Sequence, residues 1–290
     1  MIQDLSYGKL DNQYRPALPD DNDLIICAQG NKILSACDEN DILTVPSWKQ
    51  VREWSLKNNW NKWYDEPLQY AFSLQDKNYF IWMGEAGDPG DDRFKYEGTR
   101  YYRILPSKDS CFALMTGWHI YTWYRANRFC GKCGQPTVHD EKERMMRCPD
   151  CGNMIFPRIA PACIIALTNG DKIMLAQHAA LKQKRYGLLA GFIEIGETAE
   201  EAVAREVMEE VGLKVKNIRY YKTQPWGIVG NLSLGYFCEL DGGDAVSLDE
   251  NELAAAEWHH RDNIPPEAAD DGISLTREMI RIFSEGKEPK

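Results

Sequence analysis

Residues 191 to 213 read Gly191-Phe192-Ile193-Glu194-Ile195-Gly196-Glu197-Thr198-Ala199-Glu200-Glu201-Ala202-Val203-Ala204-Arg205-Glu206-Val207-Met208-Glu209-Glu210-Val211-Gly212-Leu213, and this stretch decides the fold. Thr198 and Glu201 form a capping box, in which each side chain can satisfy the other's backbone N–H. Gly212 stands where a left-handed residue closes a helix. Val203, Val207 and Val211 recur every four residues and mark a buried side. At ~100° per residue, Glu210 lies ~40° from Glu206, and Glu209 lies ~60° away on the other side. Three carboxylates on one face repel, which costs a bare helix a few tenths of a kcal/mol per pair.

A hard divalent cation, Mg²⁺ or Mn²⁺, relieves that repulsion by taking carboxylate oxygens. Arg205 precedes Glu209 by one turn and can fix its rotamer. Gly191 and Gly196 let the preceding loop bend back over the acids. The plain alternative is a solvated acidic face, which many helices carry. The loop glycines, Glu197 in the loop and Arg205 beside the cluster weigh against it.

Upstream, Cys130-x-x-Cys133 and Cys148-x-x-Cys151 stand fourteen residues apart. Two such knuckles predict a tetrahedral Zn²⁺ site closed by four thiolates, a structural staple with no open position for catalysis. Nucleic-acid contact is the other reading of such a ribbon. His139, between the pairs, is expected to be exposed and not ligating. The other five cysteines, Cys27, Cys37, Cys111, Cys163 and Cys238, sit among apolar neighbours and read as small buried hydrophobes.

The chain has 290 residues, 43% of them hydrophobic and 27% charged, with a formal net charge of -10. This bounds it as globular, with more than one domain. The acidic balance argues against a general nucleic-acid binder. No run of ~18 apolar residues is present, so no membrane span is expected. Residues 1–10 lack a basic region followed by an apolar core, so no signal peptide is expected. Nine cysteines without one suggest a reducing compartment, the cytoplasm.

Residues 1–109 read as a β-rich domain. Hairpins are predicted over 23–36, turning at Gly30-Asn31, and over 68–83, turning near Asp76-Lys77-Asn78. A helix capped by Ser47 lies between them. Residues 110–129 read as a helix with bulky residues nearly all round, among them Leu114, Trp118, Tyr121 and Trp123. Such a helix needs cover on more than one side, a second subunit being one source. With the ribbon it forms a second part, 110–157. In 158–290, strands are predicted at 159–167, 173–176, 214–222, 232–239 and 257–259. The closing helix, 273–284, has Leu275, Met279, Ile282 and Phe283 on one face.

The glutamate stretch resembles the Nudix box at every fixed position: Gly191, Glu197, Arg205, Glu206, Val207, Glu209, Glu210, Gly212 and Leu213. With the ribbon and Phe156-Pro157-Arg158-Ile159-Ala160-Pro161 before it, the order resembles the NADH pyrophosphatase subfamily of Nudix hydrolases. The resemblance implies an α/β/α sandwich around a mixed sheet, preceded by a zinc ribbon and a β-rich N-terminal domain. It implies hydrolysis of the pyrophosphate of NADH or NAD⁺ to NMN(H) and AMP, or of NAD-capped RNA, by a homodimer. It makes Glu206 and Glu210 ligands of the catalytic metal, Glu209 a ligand or base, and the Ala190 carbonyl a further ligand. Glu252 matches the downstream metal carboxylate, with Glu250 as its rival. Phe156 and Phe192 match aromatics that stack on a base; Phe192 is equally readable as a core residue of the loop. The subfamily's post-box loop, which contacts the dinucleotide, is matched by Thr223-Gln224-Pro225-Trp226. After it the chain departs, reading Gly227-Ile228-Val229-Gly230-Asn231. Gln224, Pro225, Trp226, Asn231 and Thr276 are the expected substrate contacts. The departure keeps open an ADP-ribose or other nucleoside-diphosphate pyrophosphatase. A non-catalytic nucleotide sensor is the alternative of another class, and the intact acids oppose it.

Overall fold

In a computed structural model of the chain, residues 1–6, 8–39, 42–65, 67–103, 107–179 and 185–289 are described. The chain forms two compact units. One comprises Ile2–Arg158 with Gly227–Gly230; the other comprises Met1, Ile159–Trp226 and Asn231–Lys290. Among the described residues, no helix is long and apolar enough to cross a membrane.

The first unit carries strands β1 (Leu10–Asp11), β2 (Leu24–Ile26), β3 (Ala28–Gln29), β4 (Lys32–Cys37) and β5 (Leu43–Thr44), then helix α1 (Trp48–Lys57). Strands β6 (Leu68–Leu74), β7 (Lys77–Trp82) and β8 (Lys95–Gly98) and helix α2 (Lys108–Ala126) follow. One sheet has the order β1-β6-β7-β2; a second runs β3-β4-β5, with β8 on β4. Both expected hairpins form. The first turns at Gly30, with φ 57°. The second turns at Gln75-Asp76, one residue before the expected triplet, with φ 52° and 60°. Positive φ at both central residues matches the right-handed twist of paired strands. Ser47 caps α1 through a full capping box with Gln50.

Helix α2 is buried all round, as its sequence requires, and it packs on β2, β5, β6 and β7. A Cβ on Gly117 would lie 1.9 Å from Ile26 Cδ1, so the glycine permits this close approach. These strands cover the helix, so its apolar girth is not an argument for a second subunit. The ribbon follows as β9 (Val138–His139), β10 (Met146–Arg147) and β11 (Met154–Ile155).

The second unit is a six-stranded mixed sheet between two helices. Its strands are β12 (Ala160–Asn169), β13 (Lys172–His178), β14 (Leu189–Phe192), β15 (Val215–Trp226), β16 (Asn231–Leu240) and β17 (Leu253–His260). The order is β15-β16-β12-β13-β17, with β12 and β16 parallel. Side chains alternate between two cores. Cys163, Ile165, Leu167, Met174 and Ala176 face helix α3 (Ala199–Val211). Ala166, Ile173, Leu175 and Phe237 face helix α4 (Leu275–Ser284). β13 pairs with β12 only at Thr168 and Asn169; β14 takes the other half of β12, from Ala162 to Ile165.

Thr223–Trp226 was expected in a loop, and the structure corrects this. These residues complete β15, in register as far as Trp226 opposite Asn231. β15 is the sheet's edge, where Pro225 costs no ladder hydrogen bond.

Candidate active site

Helix α3 has the ends its sequence dictates. Thr198 Oγ1 accepts from the Glu201 amide at 3.2 Å, and the Glu201 carboxylate accepts from the Thr198 amide at 2.8 Å. Gly212 closes the helix at φ 70°. Val203, Val207 and Val211 are fully buried. Turned from them toward β14 are Glu206 and Glu210, also buried, whereas Glu209 is exposed.

Arg205 organises the acids. Its Nε and Nη2 donate to the two oxygens of Glu197, at 2.8 and 2.9 Å. Its Nη1 donates to Glu206 at 2.7 Å and Glu209 at 2.8 Å, and Nη2 also reaches the Phe192 carbonyl at 2.9 Å. Arg205 therefore holds more than Glu209: it ties the loop to the helix. The fork geometry of a guanidinium makes this possible. Glu197 also accepts from the Glu194 amide, and with Arg205 this pulls its carboxyl down to about 2.

Burial raises the carboxyls of both Glu206 and Glu210. Burial raises the Glu206 carboxyl, Arg205 lowers it, and the charges of Glu209 and Glu252 raise it. Burial pushes Glu210 up to about 8, and the charges of Glu206, Glu252 and Asp249 add to this; the Ala190 amide, donating to Glu210, offsets part. Glu210 Oε2 is buried with no hydrogen-bond partner. A crowded acid with a bare buried oxygen is what a divalent cation satisfies, so the acids suit such an ion.

Gly191 has a different reason from the one its position suggested. A Cβ there would lie 1.8 Å from Glu206 Cδ. The glycine makes room for the carboxylate, while Gly196, at φ 88°, provides the bend. Glu252 is exposed, yet both buried acids feel its charge. Asp249 was missed by sequence reasoning. Its amide donates to the Glu210 carbonyl at 3.0 Å and its charge acts on Glu210. The signal was the acidic run 249–252, which by itself points nowhere.

The remaining expected contacts separate. Phe192 is 53% exposed at the end of β14, with its carbonyl fixed by Arg205. Trp226 and Asn231 pair across the β15–β16 end, and Pro225 is exposed on it. Thr276 is half-buried in the first turn of α4. Gln224 is 2% exposed, and its amide is engaged inside the unit. Its Nε2 donates to the Ile273 carbonyl and its Oε1 accepts from the Leu275 amide, each at 2.8 Å. Phe156, in the first unit, is 53% exposed.

In the ribbon, the sulfurs of Cys130, Cys133, Cys148 and Cys151 all lie within 4.8 Å of one another. The two knuckles fold alike. The Gly134 amide donates to the Cys130 carbonyl at 2.8 Å and the Gly152 amide to the Cys148 carbonyl at 3.0 Å, with both glycines at positive φ. Four thiols in one tight cluster fit tetrahedral Zn²⁺. His139 is not exposed, contrary to expectation. It packs edge-on against Tyr64 and Tyr124, and burial lowers its pKa to about 4.

Residues 125–156 match the family model described as NADH pyrophosphatase zinc ribbon domain, and residues 157–279 match the NUDIX domain. The chain is similar to the NAD-capped RNA hydrolase NudC of Klebsiella pneumoniae, 44% identical over 185 residues, which are 63% of this chain and 72% of that protein. It is also similar to the protein of the same name from Salmonella paratyphi C, 44% identical over 149 residues; there the match covers 51% of this chain and 58% of the relative. Among solved structures, a NUDIX hydrolase from Nitrosomonas europaea aligns with 55% of this chain and 91% of its own, at 22% identity and a TM-score of 0.47.

Proposed function

The chain belongs to the Nudix hydrolases that carry an NADH pyrophosphatase zinc ribbon, and from that premise we propose that it hydrolyses the pyrophosphate bond of NADH or NAD⁺. Water adds across the bond to give NMN(H) and AMP. NAD-capped RNA, named for the relatives, is the second substrate of the same class. The observation that carries this reading is Glu210: a buried carboxylate with a bare oxygen, beside Glu206, in a frame fixed by Arg205.

In this reading Glu206, Glu210, Glu252 and the Ala190 carbonyl hold the cation, with Glu209 as a further ligand or as the base. A divalent cation, Mg²⁺ or Mn²⁺, held by these residues would supply charge neutralisation at the pyrophosphate and activation of water. Arg205 keeps Glu206 and Glu209 in place, so both are set before substrate arrives. As the base, Glu209, half in solvent and bonded to Arg205, would take the proton from the attacking water. Phe192 and Phe156 offer exposed rings for a base, a contact worth ~1–3 kcal/mol per stacked base. Trp226, Pro225, Asn231 and Thr276 remain the proposed polar and apolar contacts to the rest of the substrate. Zn²⁺ on the four cysteines is structural.

We assign the labour along three segments: 1–109 as an N-terminal domain, 110–157 as helix plus ribbon, and 158–290 as the hydrolase. Nine cysteines, four of them at zinc-binding spacing, suit a reducing compartment, and the cytoplasm is the setting proposed. Homodimerisation is part of the same proposal, from the family.

The test is product analysis with NADH, NAD⁺, ADP-ribose and NAD-capped RNA side by side, with Mg²⁺ and with Mn²⁺. NMN(H) and AMP from the dinucleotides support the reading. Faster turnover of ADP-ribose than of either dinucleotide would favour the alternative that the departing turn, Gly227–Gly230, leaves open.

A further inference from the structure

The turn that joins β15 to β16 is not a free hairpin tip. Gly227–Gly230 belong to the first unit, with Ile2–Arg158, whereas the strands on either side belong to the second. What holds the turn is one stretch of helix α2. A Cβ on Gly227 would lie 2.2 Å from the Met115 carbonyl oxygen and 3.4 Å from His119 Cβ, so only a glycine comes this close to the helix. Gly230 has φ 76°, and a Cβ there would lie 3.1 Å from His119 Nε2. Met115 and His119 are one helical turn apart, so both glycines rest on the same side of α2.

His119 has a second contact. Its Nε2 lies 2.8 Å from the Arg158 carbonyl oxygen. A carbonyl only accepts, so Nε2 carries the proton and donates. One half-buried ring therefore holds the chain at two places far apart in sequence.

Those places are the entries to neighbouring strands. Arg158 stands two residues before β12, and Gly230 stands one residue before β16. Ala160 and Asn231 are the first pair of these two parallel strands. Trp226 lies opposite Asn231, and Phe192 ends β14 opposite Ala162, so both belong to the same end of the sheet. Trp226, Asn231 and Phe192 are three of the contacts proposed above for the substrate. Turns and strand ends are ordinarily the least fixed parts of a sheet. A group that orders a binding site before the ligand arrives lowers the ordering cost of binding. Its effect falls on binding and not on the step at phosphorus, where the acids of α3 act.

We propose that His119 is a positioning residue for the substrate: by holding the Arg158 carbonyl and the Gly230 turn, it sets Trp226 and Asn231 in place before the dinucleotide binds. This rests on the proposed function above, and one arm of the experiment is independent of that function.

Full-length protein with zinc bound is compared with His119→Ala and His119→Gln. The glutamine amide nitrogen stands as many bonds from Cα as His Nε2 does, so it can donate to the same carbonyl. In ligand-free protein, hydrogen–deuterium exchange over 158–162 and 227–232 should rise about tenfold in His119→Ala, the scale of one lost hydrogen bond, and return toward the parent in His119→Gln. With Mn²⁺, KM for NADH should rise about 5- to 10-fold in His119→Ala while kcat stays within about twofold, and His119→Gln should restore most of the loss. If His119→Ala does not fold, Gly230→Ala, which pushes the turn off the same ring, carries both measurements. If the parent hydrolyses ADP-ribose and not NADH, the proposed function fails, and His119 is judged with ADP-ribose; if it hydrolyses neither, both fail. The proposal also falls if folded His119→Ala exchanges as the parent does at either segment, if its KM is unchanged, if the loss in kcat/KM lies in kcat, or if His119→Gln restores nothing.

Discussion

The carboxylate of Glu206 occupies the space in which any side chain on Gly191 would begin: a Cβ there would meet Glu206 Cδ at 1.8 Å. Strand and helix are thus fitted to each other at this point, with no slack. Gly191→Ala should push the carboxylate off its place while β14 keeps its pairing with β12. A misplacement of about 1 Å is enough for a loss of about 100-fold in kcat/KM. Steady-state kinetics beside a circular dichroism spectrum checks this; full activity in a folded variant would mean the Glu206 position is unimportant.

Arg205→Lys keeps the charge and loses the fork. One ammonium cannot bond Glu197, Glu206, Glu209 and the Phe192 carbonyl at once, as the guanidinium does. Activity should fall about 10- to 100-fold as the acids lose their fixed rotamers. Stability should fall by about 1–2 kcal/mol, because the loop is released from the helix. A melting curve and kcat/KM together read both effects; an unchanged kcat/KM would place the acids under other control.

Glu210 gives a pH dependence with a definite sign. Its carboxyl stands at about 8 in the cation-free fold, raised by burial first and then by Glu206 and Glu252. An unfolded glutamate titrates near about 4.3. A folded pKa above the unfolded one means stability that is present below the unfolded value and lost as pH rises through the folded value. The melting temperature of cation-free protein should therefore decline between about pH 4 and pH 8. Mn²⁺, which takes the ionised form, should oppose the decline at its upper end. Glu210→Gln should flatten this part of the profile and abolish metal-dependent turnover. Identical profiles for parent and variant, or undiminished turnover, would contradict the assignment.

The helix was readable because its signals are local. Thr198, Glu201, Gly212 and the three valines act within a few residues of one another, and the structure places each as its spacing requires. The ribbon was readable for the same reason. What escaped depends on contacts far along the chain. Gly191 looks like a bend until Glu206, fifteen residues on, is seen against it. Gln224 looks like a ligand contact until Ile273 and Leu275 take up its amide. His139 looks exposed until Tyr64 and Tyr124 close on it. Pro225 reads as a loop residue because proline opposes a central strand, and only the sheet order shows that β15 is an edge.

The cysteine cluster predicts a stability effect without a chemical one. Four thiols within 4.8 Å leave no open position for substrate. Stripping Zn²⁺ with a chelator, then restoring Mn²⁺, should lower the melting temperature by at least about 5 °C. Cys148→Ser should do the same without chelator. Differential scanning calorimetry decides it, and an unchanged transition would mean that the thiols do not staple the ribbon.

Gln224 separates a structural role from a substrate role. Its amide satisfies the Ile273 carbonyl and the Leu275 amide, which begins helix α4, and it does so at 2% exposure. Gln224→Ala strands two buried backbone groups, at a cost of about 2 kcal/mol. The side chain is almost wholly shielded and both ends of its amide are engaged, which favours the structural role. The expected result is a melting temperature lowered by about 4–8 °C, with kcat/KM for NADH kept within about threefold well below the transition. A variant that melts like the parent but loses NADH turnover would reverse the assignment and return Gln224 to the substrate.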